Sequence, residues 1–345
     1  MNRRSFFAVA GSSLLAACHA DDLLAPTRIY MDGSIPARLA TVKVLKGQVF
    51  PTKLLFTASG YDIQDCYFHQ GYSATLTNGQ PWSCFANNVV RGGVAIGMGH
   101  MTDVVLVNPT ASNPHFLTPL GKLNNLVFDG LIFEYLGTSS VGDCFLLPKL
   151  INPPMRHHTL IRCLVLPNAA GNTSGSLVSQ LGGPFSAASV LNCTVHTGGG
   201  GGLIGGETFT GYPGIYRAIS GNIFWDTAIR GYALKLDGAK IAVPDLALPG
   251  TIGPNVLWNL KPGQSGYGMH WPLSSQPSGQ IQADPMCANR LASLRTWDAS
   301  LGGPGTSASG INRLLTQQNA PQELIAFLKA GFTPTNPVAQ GFGAV

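Results

Sequence analysis

Charge is scarce in this chain. Asp, Glu, Lys and Arg together make up 11% of its 345 residues, against about a quarter in an ordinary globular domain. Apart from Arg3 and Arg4, the basic residues form no cluster, so there is no electrostatic footprint for nucleic acid. After residue 17 no apolar run approaches the roughly 20 residues of a membrane-spanning helix. Metal-ligand spacing is missing as well. His157 and His158 are adjacent and would face opposite ways on a strand, while His69 and His100 have no ligand-type spacing around them. Neither a metal nor a cofactor is expected. Helical signals are also few. The one convincing helix is PQELIAFLKAG at 321–331, with Pro321 at its start, Glu323 in the first turn, Lys329 in the last and Gly331 as a stop.

What is present begins with MNRRSFFAVAGSSLLAAC. Paired arginines precede a short apolar run from Phe6 to Ala17, and Cys18 follows. The run is too short for a permanent span and reads as an export signal. RRSFF resembles a twin-arginine signal, and LAAC at 15–18 resembles a bacterial lipobox in which Cys18 becomes the acylated first residue. That resemblance implies an exported, lipid-anchored protein of the cell envelope, at the outer membrane or cell surface. Residues 1–17 would then lie outside the fold, and the formal net charge of +5 falls by two. Cys66, Cys84, Cys144, Cys163, Cys193 and Cys287 remain. Export permits disulfides, but six cysteines in a chain of this length are no disulfide scaffold.

The body of the chain consists of short apolar runs between Gly, Pro, Asn, Ser and Thr, which predicts an all-β fold. A repeat runs through it: GLIFEY from Gly130, RCLVLP from Arg162, NCTVHT from Asn192, NIFWDT from Asn222 and NVLWNL from Asn255. Aligned on their first residues, the second positions read Leu131, Cys163, Cys193, Ile223 and Val256. The fourth read Phe133, Val165, Val195, Trp225 and Trp258. A period of two puts both columns on one strand face. The fifth column, Glu134, Leu166, His196, Asp226 and Asn259, faces the other way, as does a third column that stays fairly apolar. Strand repeats near 30 residues stack into a solenoid, whereas propeller blades need about 40 residues or more. A sandwich would not align columns across five segments. The Asn at the first position suits a bend.

At this point the chain resembles right-handed parallel β-helix proteins of the pectate-lyase-like superfamily. NLVFDGLIF at 125–133, VLNCTV at 190–195 and ISGNIFWDT at 219–227 look like their coils. ADPMCAN at 283–289, RTWDAS at 295–300 and GFGAV at 341–345 resemble a common family ending. The expected organisation is an export signal over 1–17, a linker and start of a cap over 18–40, a β-helix over 41–300, and a C-terminal tail over 301–345 containing the 321–331 helix. That helix can lie over an open end or along a side. Because the coils pair their own edges, a monomer is expected.

On stacked coils about 4.8 Å apart, Cys163 and Cys193 face inward. They form either a disulfide or a buried pair of thiols, and neither arrangement suits a catalytic thiolate. His196 faces outward with Asp226 one coil away, the pairing that orients a general base. Glu134 lies two coils from His196, and the Glu134 and Asp226 carboxylates are too far apart for a retaining glycosidase. The Gly-rich connection after His196 carries Glu207 and Tyr212, with Tyr216 and Arg217 following. Arg230, Tyr232, Lys235 and Asp237 come after Asp226. The resemblance to polysaccharide lyases implies roles for these groups. Arg217, Arg230 or Lys235 would neutralise a uronate, Lys235 or His196 would take its C5 proton, and Tyr212 and Tyr232 would stack on sugar rings. Neither the carboxylate cluster of a calcium-dependent lyase nor the paired aspartates of polygalacturonase-like enzymes are present in the sequence. Two functions follow as expectations. One is a surface-anchored lyase or hydrolase of extracellular polysaccharide, with His196, Asp226, Arg217 and Lys235 catalytic and Glu134, Glu207, Tyr212, Arg230 and Tyr232 binding substrate. The other is a non-catalytic β-helix lipoprotein that binds a glycan or another cell-surface partner.

Overall fold

The computed structural model describes residues 43–56, 61–74, 84–92, 94–96, 100–108, 117–119, 127–136, 145–147, 156–167, 178–180, 186–196, 204–206, 215–225, 251–259 and 279–345. Successive short strands visit three sheets in turn. The first coil supplies Lys43–Lys46, Val49–Phe50 and Leu54–Phe56, and the second supplies Tyr61–Gln64, Tyr67–Phe68 and Tyr72–Ala74. Each strand pairs in parallel with its counterpart one coil away. Among the described residues the first, second and third sheets hold nine, ten and seven strands. This is a parallel β-solenoid.

The bend between the first and second sheets needs one residue in the left-handed region. Gly47, Asp65, Asn87, Asp103, Gly130, Arg162, Asn192 and Gly221 fill it, with φ between 50° and 73°. Each continues the ladder by donating its amide to the next coil, as Asn192 does to the Ser220 carbonyl at 2.9 Å. Gly, Asn and Asp tolerate this region, while other residues strain by roughly 1–2 kcal/mol. Arg162 is the exception. Its Nε and Nη2 each lie 2.7 Å from an oxygen of the fully buried Asp129, a two-pronged contact that offsets the strain. Glycine is required where a neighbouring bend folds its own side chain across. A Cβ on Gly130 would lie 2.1 Å from Asp103 Oδ1, and one on Gly221 would lie 1.9 Å from Asn192 Oδ1.

These bends correct the alignment of the last two repeats. Gly221, not Asn222, occupies the bend that Asn192 occupies one coil earlier. The ladder therefore pairs Thr194 with Ile223, Val195 with Phe224 and His196 with Trp225, and continues from Trp225 to Trp258. The inward column reads Phe133, Val165, Val195, Phe224 and Leu257. Ile223, Trp225 and Val256 belong instead to the outer face of the second sheet. A one-residue slip moves every side chain to the other face.

Asn222 and Asn255 consequently stand in the inward second column above Cys193, both fully buried. Asn222 Oδ1 accepts the Cys193 amide at 2.7 Å, and Asn255 Oδ1 accepts both the Asn222 amide at 3.0 Å and Asn222 Nδ2 at 2.9 Å. Gln280 ends the stack, its Oε1 accepting from Asn255 Nδ2 at 3.1 Å. Asn88 does the same near the other end, accepting the Cys66 amide at 2.8 Å. The amide after each bend lies off the strand ladder, and a buried amide without a partner is costly. At Cys66, Cys163, Cys193 and Asn222 a side chain one coil on supplies the acceptor.

The C-terminal region packs against the outer face of the second sheet. It contains α1 (Leu294–Ser300), α2 (Ser307–Thr316) and α3 (Ala320–Phe332). Helix α3 contains the expected 321–331 segment and lies along a side of the solenoid. Gln318 sits against Gly47, and Lys329 holds Asp103. The three coil steps between those bends, roughly 4.8 Å each, match about three helical turns of about 5.4 Å. Sequence inspection missed α1 and α2. Both start with capping boxes made of hydroxyls, Ser293 with Thr296 and Thr306 with Ser309, rather than the Glu-bearing kind.

Apolar burial holds this cover in place. Leu294, Leu314, Leu324, Leu328 and Phe332 have no exposed surface and join Tyr67, Val89, Val105, Ile132, Leu164, Ile223 and Val256 in one cluster. Burying a large apolar side chain is worth roughly 1.5–3 kcal/mol, more than the roughly 0–1 kcal/mol of a surface ion pair. The cover also explains why the outward third column is apolar.

Candidate functional site

His196 ends the strand Thr194–His196. Its neighbour in the ladder is Trp225, and the two rings meet edge to face with centroids 4.4 Å apart. The Arg290 guanidinium lies 4.8 Å from the Trp225 ring centroid and holds Asp284. The C-terminal residues close over the same coils, with Gly343 N donating to the Gly221 carbonyl at 2.7 Å and Ala344 N to Thr194 Oγ1 at 3.0 Å. His196 does face away from the inner core, but it is buried under this cover. The register shift puts Trp225, and not Asp226, across from it.

Glu134 lies on Ile132–Tyr135 and also points outward into the cover, where 3% of it is exposed. Its two oxygens accept the Leu294 amide at 2.9 and 3.0 Å, at the first residue of α1. Burial pushes its carboxyl up from 4.5 to about 7, opposed by the Leu294 N–H and by Arg295. This arrangement joins the helical cover to the solenoid.

Arg217 lies within the strand Ile215–Ser220. Asp226, Lys235, Glu207, Tyr212, Arg230 and Tyr232 lie outside the described residues, as does Cys18. The structure therefore brings Glu134 and His196 onto one sheet face, two coils apart, with Leu166 between them in the fifth column.

Cys66, Cys163, Cys193 and Cys287 are buried free thiols. Of the two arrangements open to Cys163 and Cys193, the structure has stacked thiols, with the Cys163 amide 3.4 Å from Cys193 Sγ. Cys193 Sγ thus stands where an Asn oxygen stands elsewhere in the column. Burial pushes the Cys66 thiol up to about 11 and drives Cys163 well above the ordinary range, which suppresses the thiolate. Among the described residues no three of His, Cys, Asp and Glu converge to hold a metal ion.

One polar cluster on the same sheet face was missed in the sequence. Phe68 pairs with Val90, so His69 and Arg91 are outward neighbours on adjacent coils. Arg91 Nη1 lies 2.9 Å from His69 Nε2, and Tyr67 Oη lies 3.0 Å from His69 Nδ1. Arg can only donate, so Nε2 is the acceptor. The proton of the neutral ring is then on Nδ1 and is donated to Tyr67 Oη. Burial and the Arg91 charge hold the His69 imidazole below its ordinary value, in that neutral form. Arg91 Nε is buried without a hydrogen-bond partner. The signal for this cluster is the pair of bends at Asp65 and Asn87: the fourth residue after each is His69 and Arg91.

Comparison of the chain with protein-family models, with curated proteins and with solved structures gives no match. The chain is a parallel β-solenoid with a helical C-terminal region laid along one side.

Proposed function

We propose that this chain is exported, anchored by lipid at Cys18 in the cell envelope, and acts on extracellular polysaccharide as a lyase or glycoside hydrolase. The observation that carries the reading is the sheet order around residues 178–225. Thr194–His196 and Ile223–Trp225 are adjacent strands of the second sheet, and Val178–Gln180 and Ile204–Gly206 are adjacent in the third. Residues 197–203 and 207–214 connect these coils, and 226–250 follow the last of them. Arg217 lies on the strand Ile215–Ser220, and Glu207, Tyr212, Asp226, Arg230, Tyr232 and Lys235 fall in the sequence segments between and after these strands, outside the described residues. In this reading Arg217, Arg230 or Lys235 neutralises an acidic sugar. Lys235 removes a proton, and Tyr212 and Tyr232 stack on the rings.

A second reading, non-catalytic glycan binding, is favoured by the burial of His196 and Glu134 beneath the helical cover. Incubation with a panel of acidic and neutral polysaccharides, followed through unsaturated products and new reducing ends, separates the two. The enzyme reading expects product from at least one polymer. Retained binding with no product from any supports the second reading, and neither binding nor product removes both.

A further inference from the structure

The first coil bounds the solenoid core on one side. Lys43–Lys46, Val49–Phe50 and Leu54–Phe56 are the terminal strands of their sheets, each with a neighbour on one side only among the described residues. Their inward side chains include Leu45, Phe50 and Leu54, which pack against the core but are only partly buried. One coil on, the ladder partners Ile63, Phe68 and Tyr72 are at most 1% exposed. The second coil is covered by the first, while the first presents its strand edges and apolar residues outward. Such an edge is a template for another strand, and the end of a solenoid needs a cap.

The residues that lead into this end carry the pattern of a coil. In the first two coils the bends are Gly47 and Asp65. An inward apolar residue stands two before each bend, three after it and seven after it: Leu45, Phe50 and Leu54, then Ile63, Phe68 and Tyr72. RIYMDGSIPARL at 28–39 has the same layout around Asp32, with Tyr30, Ile35 and Leu39. It aligns without a gap on KVLKGQVFPTKL at 43–54, placing Arg28 on Lys43, Pro36 on Pro51 and Arg38 on Lys53. Asp is a residue this bend accepts, as at Asp65 and Asp103. The step from Asp32 to Gly47 is 15 residues, close to the 16 from Asn87 to Asp103.

We propose that residues 28–42 form one further coil, stacked on Lys43–Phe56 with its bend at Asp32, and so occupy the open end. Strands added here must run parallel to the first coil in all three sheets. The preceding residues of the same chain do so, because each coil winds in the same direction. A second copy meeting this end across a two-fold axis would wind the opposite way around the common axis. Residues 28–42 are also tethered at Lys43, which sets their effective concentration at this edge on the order of millimolar. The inference rests on neither functional reading. Combined with a lipid at Cys18, it leaves residues 19–27 as the tether, at most about 32 Å when fully extended, which holds this end of the solenoid at the membrane.

The test follows amide hydrogen exchange of the full chain by mass spectrometry at two protein concentrations. Peptides within 28–42 should exchange at least tenfold slower than an unstructured chain, at the same rate at both concentrations. Tyr30→Asp puts a charge against Leu45 and should speed exchange over residues 43–56 at least tenfold, leaving residues 251–259 unchanged. Ile29→Ser, at an outward position, should stay within twofold of wild type. Ladder partners on adjacent coils lie within disulfide reach. An oxidised Ser34→Cys/Val49→Cys protein should therefore show the 34–49 disulfide in its peptide map, and Ser34→Cys/Val44→Cys should show no 34–44 disulfide. Unprotected residues 28–42 in the wild type overturn the proposal. So does protection that rises with concentration, which marks a second copy at this end. Equal effects of Tyr30→Asp and Ile29→Ser, or a 34–44 disulfide, overturn the coil and its register. The wild-type exchange decides the matter even where a variant does not fold.

Discussion

Replacing Glu134 by glutamine tests how the helical cover is attached. The Glu134 carboxyl is held at about 7 instead of 4.5, so the folded protein keeps this proton more tightly than the unfolded chain does. As pH rises from about 4.5 to about 7, the unfolded chain gives up the proton first and stability falls. Above about 7 the loss is complete. At about 1.4 kcal/mol per pH unit, the full effect is on the order of 3 kcal/mol. Glutamine keeps an oxygen for the Leu294 amide but carries no charge at any pH. Its extra N–H donors cost roughly 1 kcal/mol if they find no acceptor. Glu134→Gln should therefore be more stable than wild type by about 1–2 kcal/mol at pH 8, and equal or slightly less stable at pH 4.5. Urea unfolding across this range, followed by tryptophan fluorescence, measures both curves. Wild type should lose stability between pH 5 and 7 in excess of the variant. Parallel curves would refute the assignment of a buried, near-neutral carboxyl to this junction.

Three further outcomes follow from the solenoid. Gly221→Ala places a Cβ against Asn192 Oδ1 at a φ of +73°, and should cost about 2 kcal/mol or more. Adding Asn192→Gly should recover the clash but not the backbone strain, as read by thermal melting. Asn222→Ala leaves the buried Cys193 amide without its acceptor and removes the Nδ2 donor from the Val190 carbonyl and from Asn255 Oδ1, which keeps only the residue-222 amide. It should destabilise by about 3 kcal/mol or more and shows as a lower urea midpoint. Alkylation with peptide mapping should leave Cys66, Cys163, Cys193 and Cys287 unmodified in the native protein at pH 8 and label all four in denaturant. A Cys163–Cys193 disulfide found in the same map contradicts the stacked thiols.

The repeat was legible because bends recur and Asn192 sits in one. The register of the last two coils was not, because NIFW and NVLW show no alternation. Their strands are buried on both faces, the inner by the core and the outer by helices, and such strands read as continuous apolar runs. The polar residue before each run then looks like a bend, although the residue before Asn222 is Gly, the better one. Helix α3 announced itself through Pro321, Glu323 and Lys329. Helix α1 has seven residues, and α2 opens with SASG, where propensity is weak. The outward direction of Glu134 and His196 was also legible. Their burial was not, since Leu294 lies 160 residues from Glu134 along the chain.

The central functional claim is that chemistry on polysaccharide belongs to the connections around residues 207–235 and not to the covered face of the second sheet. The direct measurement is the product-formation rate on whichever polysaccharide is cleaved, for Lys235→Ala, Arg230→Ala and Glu134→Gln beside the wild type. The account predicts that Lys235→Ala and Arg230→Ala lose at least tenfold in rate while Glu134→Gln stays within twofold. Loss in Glu134→Gln with full activity in the other two contradicts it.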